Sequence, residues 1–563
     1  MTRPVPVPAE VVTSPPGQAV DAAPAVSLAE PAPAYSRARA TWSRVAGWRY
    51  FDVAFVTVFM ALAVALRWRT LWTSYWGDEA IAIGIAAHPI GSLPRYLVQD
   101  GSPPLYYVGL HYWLALFGRS DLATHTLSML PAVFAVPAAW WSGSRLCGRS
   151  AGRGAAALVA TCSYLDYYST ETRMYSWVVL AAIGAVTFYV LAYREGGWWR
   201  WAGAAVLMAA ALYLQYYGLY LLAGTVLAGS AAAVYRRSWA RLRATAVYGL
   251  ACAAAFAPWA PQFVYQLENT GAPWAARPSV LDFFGDTFNA MASAGWAGVV
   301  VAIVVAVLGR RRGPAARLGV ASGPAAVSSL ALVTAVPLAT LVLAWAAGQF
   351  ISSWNPRYLG VAGVPALVAL AGGLARARRG ALALALAVAT LVATGVPMLV
   401  DRGLTVRTAK SDVAYLVGQL RPQLRPGALV ISSEVTDMPV VAIYLGKGYR
   451  YATPLGLLRD PLVVDWSDLT ARLHRRNAGS ALAPLLATVP EGGQVLLVNP
   501  TAWGGPSTPE RYRAPVEAMG VAANRAVLED PQLVAEVTEG VPKYSHPLYP
   551  MTATLFVKVG PKT

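Results

Sequence analysis

Arg49-Tyr50-Phe51-Asp52-Val53-Ala54-Phe55-Val56-Thr57-Val58-Phe59-Met60-Ala61-Leu62-Ala63-Val64-Ala65-Leu66 decides the fold class. It opens a series of apolar runs fit to cross a hydrocarbon core of about 30 Å. Arg37, Arg39, Arg44 and Arg49 precede it, which by the positive-inside rule puts the N-terminus in the cytoplasm and the next loop outside. Further apolar runs follow at 122–145, 151–169, 173–193, 201–214, 218–235, 245–265, 289–309, 325–350, 358–375 and 380–400. They predict an α-helical polytopic membrane protein with about eleven transmembrane helices. The 103–117 run, about fifteen residues, is short for a span and reads as interfacial or re-entrant. With it kept on one side, the basic loops Arg145/Arg149/Arg153, Arg194/Arg200, Arg236/Arg237/Arg241/Arg243, Arg310/Arg311/Arg312/Arg317 and Arg376/Arg378/Arg379 all fall in the cytoplasm.

Composition agrees. Of 563 residues, 56% are hydrophobic and only 13% charged, against about 25% charged in soluble domains. The net charge of +17 comes from arginines grouped between apolar runs, so it reports topology and gives no support for nucleic-acid binding. Cys147, Cys162 and Cys252 lie in or beside apolar runs, so no disulfide framework is implied. Residues 1–45 are rich in Pro and Ala and read as a disordered cytoplasmic tail, and 46–400 as the membrane region. Beyond, 401–563 alternates strand candidates (428–433, 494–498, 552–559) with helix-like stretches (411–420, 438–445, 509–519). These predict an extracytoplasmic α/β domain.

On this topology the chemistry-capable residues collect on the outer side. The first outer loop carries Trp76-Gly77-Asp78-Glu79-Ala80, where a carboxylate is able to act as a general base. The plainer reading makes Asp78 an N-cap and Glu79 a partner of the helix dipole. Asp100-Gly101-Ser102-Pro103-Pro104-Leu105-Tyr106-Tyr107 follows, its prolines starting a helix; His111 on that helix reads as a packed residue without a role. Glu171-Thr172-Arg173-Met174-Tyr175 sets an acid, a base and a phenol on neighbouring turns, and Trp354-Asn355-Pro356-Arg357-Tyr358 adds a second cation. Two arginines at membrane depth are able to clamp a lipid phosphate, although snorkelling to the interface explains either alone. No phosphate-binding Gly-rich loop, dinucleotide fingerprint or His-Glu-x-x-His is present, which argues against nucleotide-sugar, dinucleotide and zincin chemistry.

Taken in order, Trp76-Gly77-Asp78-Glu79-Ala80, Pro103-Pro104-Leu105-Tyr106-Tyr107, Glu171 to Tyr175, Gln215-Tyr216-Tyr217-Gly218 and Pro356-Arg357-Tyr358 resemble the GT-C superfamily. Over about 45–400 the resemblance is to bacterial glycosyltransferase family 39-like enzymes, relatives of protein O-mannosyltransferases and lipid A aminoarabinose transferases. It implies an inverting glycosyltransferase of the plasma (inner) membrane. A polyprenyl-phosphate sugar would be the donor, mannose first and arabinofuranose second, and the acceptor an extracytoplasmic glycan, glycolipid or protein. Carried over, Asp78 would be the base with Glu79 beside it, Arg173 and Arg357 would hold the donor phosphate, and Glu171 would orient Arg173. Tyr175, Asp100, Gln215 and Tyr358 would support them. Where many relatives have His before Pro-Pro and before Tyr-Tyr-Gly, this chain has Ser102 and Gln215, poor metal ligands. A divalent cation held by Asp78, Glu79 and Asp100 is the one cofactor left open. The class-level alternative is a lipid-linked-sugar flippase or other membrane transporter, which should line a polar path through the bilayer.

Overall fold

A computed structural model describes residues 50–292, 296–308, 324–377, 379–400, 410–503, 508–540 and 549–560. The expected tail, the basic loop at 310–317 and the junction at 401–409 lie outside the described residues. Among the described residues six helices are long and apolar enough to cross a membrane: Phe51–Trp72, Asp121–Cys147, Tyr175–Glu195, Tyr217–Tyr235, Trp239–Asn269 and Ser329–Gly348. The chain is a multi-pass membrane protein. In lipid each backbone polar group must be paired within the protein, which helices achieve by themselves.

The other apolar runs also form helices, Gly360–Leu374 and Gly380–Val400 among them, so among the described residues six, and not the expected eleven or so, qualify as full spans. The 151–169 run is broken. Helix Arg149–Ala160 stops and a second one, Ser163–Tyr168, begins, because buried Arg67 occupies the gap. Its guanidinium donates to the Ala160 carbonyl at 2.9 Å and the Leu165 carbonyl at 3.0 Å, and pairs with Asp166 at 2.6 Å. The Ala160 carbonyl, at the end of its helix, is thereby satisfied. Helix Leu105–Phe117 has 13 residues, about 20 Å at about 1.5 Å per residue, too short to span.

Small buried residues such as Ala132, Ala135, Ala139, Ala151 and Ala155 let helices approach closely. At the Gln215-Tyr216 turn a Cβ on Gly218 would stand 2.9 Å from the Ala211 backbone, so only glycine fits between the helices it joins.

The C-terminal part carries one six-stranded sheet: β1 Leu429–Ser432, β2 Arg450–Thr453, β3 Gly456–Leu457, β4 Gln494–Pro500, β5 Leu533–Glu539 and β6 Met551–Lys558. Its order is β3-β2-β1-β4-β6-β5, with β1 parallel to β2 and β4 and the remaining pairs antiparallel. Central β1 is wholly buried and reads as a continuous apolar run, Leu429-Val430-Ile431. Strands β2, β3 and β5 escape the sequence reading because they are short or half-exposed. Helices and sheet belong to one compact unit, Val53–Thr563. The contact is tight at Gly84, where a Cβ would overlap the Leu462 carbonyl.

Candidate active site

Helix Gly77–Ala86 begins at the Asp78-Glu79 pair, with Trp76, not Asp78, at the N-cap. Glu79 serves the helix start, accepting from the Trp76 N–H at 3.3 Å. Asp78 is therefore free of capping, and its Oδ2 accepts from Arg357 Nη1 at 2.7 Å. Arg357 stands 5.2 Å over the Trp76 ring, and its Nε donates to Asn355 Oδ1 at 3.2 Å. Asn355 also caps the short turn Pro356–Tyr358, and the Tyr164 hydroxyl holds the Arg357 carbonyl at 2.6 Å. The two side chains of the Asp78–Arg357 pair remain 25% and 18% exposed, so they are reachable.

Arg173 arrives from a third segment. Its Nη1 donates to the Asp78 carbonyl at 3.4 Å and to Tyr107 Oη at 3.3 Å. Tyr107 in turn lies 2.9 Å from Asp100 Oδ2 and 3.1 Å from Ser102 Oγ. Burial pushes the Asp100 carboxyl up, with Arg173 pulling the other way. Asp78, Arg173 and Arg357 thus converge, with Asp100 behind Arg173 through a phenol.

Glu79 points away from this group. It is fully buried and accepts from the Thr172 N–H at 2.7 Å, Lys410 Nζ at 2.7 Å and His125 Nε2 at 2.9 Å. The other ring nitrogen of His125 faces the Leu71 carbonyl at 2.9 Å. Burial alone would raise the Glu79 carboxyl, but Lys410 and then His125 outweigh it and hold it at about 2. Three protein donors engage Glu79 Oε1 and the Trp76 N–H engages Oε2, so Glu79 stands as a buried anchor of the turn and not beside Arg173 and Arg357.

Glu171 lies apart from the cation it was expected to orient. Its carboxyl makes no bond to the Arg173 guanidinium; the two residues share only a backbone bond, Arg173 N–H to Glu171 O at 2.7 Å. Both Glu171 carboxyl oxygens are buried without a hydrogen-bond partner. Burial pushes this group up to about 7, with Lys410 opposing and Glu79 adding to the rise.

A cleft of 650 Å³ adjoins the group, lined among others by Arg173, Gln215, Tyr216, Tyr217, Phe263, Tyr358 and Arg511. Gln215 Nε2, Arg173 Nε and Tyr175 Oη are buried and unpartnered. The Tyr358 ring lies 5.1 Å from that of Tyr217 and 6.4 Å from that of Tyr175, tilted to both. A divalent cation does not fit Asp78, Glu79 and Asp100 together: Asp78 pairs with Arg357, Glu79 with Lys410, and Asp100 with Tyr107. Among the described residues no group of three or more His, Cys, Asp or Glu side chains is placed to hold a metal.

No family model matches the sequence, and no curated protein does. Solved structures do. ArnT from Cupriavidus metallidurans bound to undecaprenyl phosphate aligns with a TM-score of 0.55 at 13% identity, covering 90% of this chain and 99% of that one. Its apo state gives 0.55 at 14% identity, over 89% and 97%. Arabinofuranosyltransferase AftD from Mycobacteria gives 0.51 at 14% identity over 91% of this chain, which spans 40% of AftD. The fold is GT-C.

Within this fold, sequence reasoning missed Lys410, His125 and Tyr107. Two had a signal. Lys410 is the first lysine of the chain, every earlier basic side chain being Arg or His. His125 stands in an apolar run, where an ionisable residue marks a functional or paired position. Tyr107 looked like any interfacial aromatic.

Proposed function

We propose that the protein is an inverting glycosyltransferase that moves a sugar from a polyprenyl monophosphate to an acceptor outside the cytoplasm. Mannose is the first choice of sugar and arabinofuranose the second. The observation that carries this is the convergence of Asp78, Arg173 and Arg357, from three distant segments, beside an aromatic-lined cleft. Its fold neighbour ArnT is seen with undecaprenyl phosphate, a ligand of the required chemistry.

The donor phosphate would engage Arg173 and draw Arg357 from Asp78. The released carboxylate takes the proton of the acceptor hydroxyl as its oxygen attacks the anomeric carbon. The bond from that carbon to the phosphate oxygen breaks, and its electron pair leaves with the phosphate. Arg173, and Arg357 once drawn from Asp78, would stand where that charge gathers. Asp78 and Glu79 thus divide the labour, one facing the reaction and the other anchoring the turn.

Orientation follows from charge. Arg145 and Asp121 lie near opposite ends of the 27-residue helix Asp121–Cys147, about 36 Å apart at about 1.5 Å per residue. Asp121 is on the side of Tyr75 and Tyr444, whereas Arg145 is beside Glu195, which also pairs with Arg200 at 2.9 Å. The arginine-rich end faces the cytoplasm in this reading, and the site and the sheet-bearing domain of 401–563 face outward at the plasma membrane.

The test is purified protein in detergent or liposomes given polyprenyl-phosphate mannose or polyprenyl-phosphate arabinofuranose with envelope glycolipid extract. Expected is free polyprenyl phosphate together with a glycosylated product, both lost in Asp78→Asn. Release from neither donor would overturn the proposal.

A further inference from the structure

Lys410 opens the described part of the C-terminal region, and its side chain runs inward to 4% exposure. Its ammonium donates to Glu79 Oε1 at 2.7 Å and to the Thr170 carbonyl at 2.6 Å, and lies 3.3 Å from His125 Nε2. Its neighbours grip the same turn from outside. Ser411 Oγ donates to the Tyr75 carbonyl and Ser74 Oγ to the Ser411 carbonyl, each at 2.5 Å. The Tyr75 N–H donates to the Tyr444 hydroxyl at 2.7 Å. Tyr549 donates its N–H to the Lys410 carbonyl at 3.1 Å and stacks its ring on Trp76 at 4.9 Å, 3° from parallel.

The segment from Ser74 to Glu79 is therefore held by the C-terminal region at every residue named except Gly77 and Asp78. Within that grip Lys410 alone supplies a buried charge. Resting on the reading above, we propose that Lys410 is a positioning residue: by neutralising and anchoring Glu79 it fixes where the adjoining Asp78 carboxylate stands. Sugar transfer in the helical region then depends on the docked sheet-bearing region.

The physical reason is local. Glu79 Oε1 accepts from Thr172, His125 and Lys410 at once, an arrangement that only an ionised carboxylate sustains. A carboxylate left buried without its cation takes up a proton instead. The acid form then has one oxygen that must donate, its grip on Thr172 and His125 loosens, and the helix start moves with it. Asp78 need shift only by about 1 Å to lose roughly 10²-fold in rate.

The experiment uses the full chain with Lys410→Met, Glu79→Gln and the double variant, with Lys410→Gln where Lys410→Met does not accumulate. Three quantities are read: turnover, affinity for polyprenyl phosphate, and the infrared carbonyl band of protonated carboxyls. Lys410→Met should lower kcat by roughly 10²-fold while affinity for polyprenyl phosphate stays unchanged. It should gain a protonated-carboxyl band that the double variant lacks. The double variant should lose less than the product of the two single losses, because the residues act as one unit. Unchanged kcat, a parallel loss of affinity, strictly multiplicative losses or no new band would each overturn the proposal. Should the wild type transfer no sugar, the function proposed above falls, while the infrared band still decides whether Lys410 holds Glu79 ionised.

Discussion

Replacing Asp78 by Asn separates the base from every other role this residue could have. Capping is not one of them, since Trp76 is the N-cap and Glu79 holds its N–H at 3.3 Å. What changes is the contact with Arg357 at 2.7 Å. Two unit charges about 4 Å apart interact by about 4 kcal/mol at an effective dielectric of about 20. With the side chains 25% and 18% exposed, the charge-assisted bond contributes less, about 1.5–3 kcal/mol, and an amide oxygen keeps about half of that. About 1–2 kcal/mol of competition for Arg357 is thereby removed. Affinity for polyprenyl phosphate should rise by a factor of about 5–30, and the loss of a like charge beside the phosphate acts in the same direction. Turnover should fall by roughly 10²–10⁴-fold through loss of the proton acceptor. The assay is paired: binding of polyprenyl phosphate to detergent-solubilised protein by calorimetry, and single-turnover sugar transfer. Near wild-type transfer would refute Asp78 as base. Affinity falling along with the rate would refute the competition for Arg357.

Arg173→Ala and Arg357→Ala should each weaken use of the lipid-linked donor by about 1.5–3 kcal/mol, and unchanged donor kinetics in both folded variants would return these arginines to snorkelling. Glu171 has its folded-state carboxyl raised to about 7, above its ordinary value of 4.5, so the folded protein binds the extra proton and stability falls as pH rises from about 4.5 through about 7. Glu171→Gln should remove that fall in thermal unfolding scans across this window, and an identical pH slope in both proteins would count against it. Glu79 behaves oppositely: held at about 2, it contributes stability above about 4.5 that is lost as pH falls through about 2, and Glu79→Gln should flatten that acid limb. A reporter fused after residue 420 should be active only on the outer side; a reporter that works only in the cytoplasm would sink the topology.

Much of the site was legible because its chemistry sits in short, distinctive strings at the ends of apolar runs. Asp78, Arg173 and Arg357 are each flagged by an aromatic or proline neighbour at the edge of a span, where an ionisable side chain needs a reason. The C-terminal strands β1, β4 and β6 were legible for a different reason: their buried residues form apolar runs too short for a helix. The broken helix at Thr161 was not, since nothing in 151–169 announces a gap; it is Arg67, 98 residues from its partner Leu165, that fills it.

The sequence by itself determined that this chain enters a membrane many times and that an acid pair follows its first span. Which of the two acids faces the reaction lay beyond it. Neighbours on a helix point about 100° apart, so one of Asp78 and Glu79 had to turn inward, and local propensity is the same for either outcome. The choice was made by groups distant along the chain: His125 at 46 residues, Thr172 at 93 and Lys410 at 331 meet at Glu79, while Arg357 at 279 meets Asp78. A buried carboxylate needs that many donors and cations to stay ionised, and only tertiary packing brings them together.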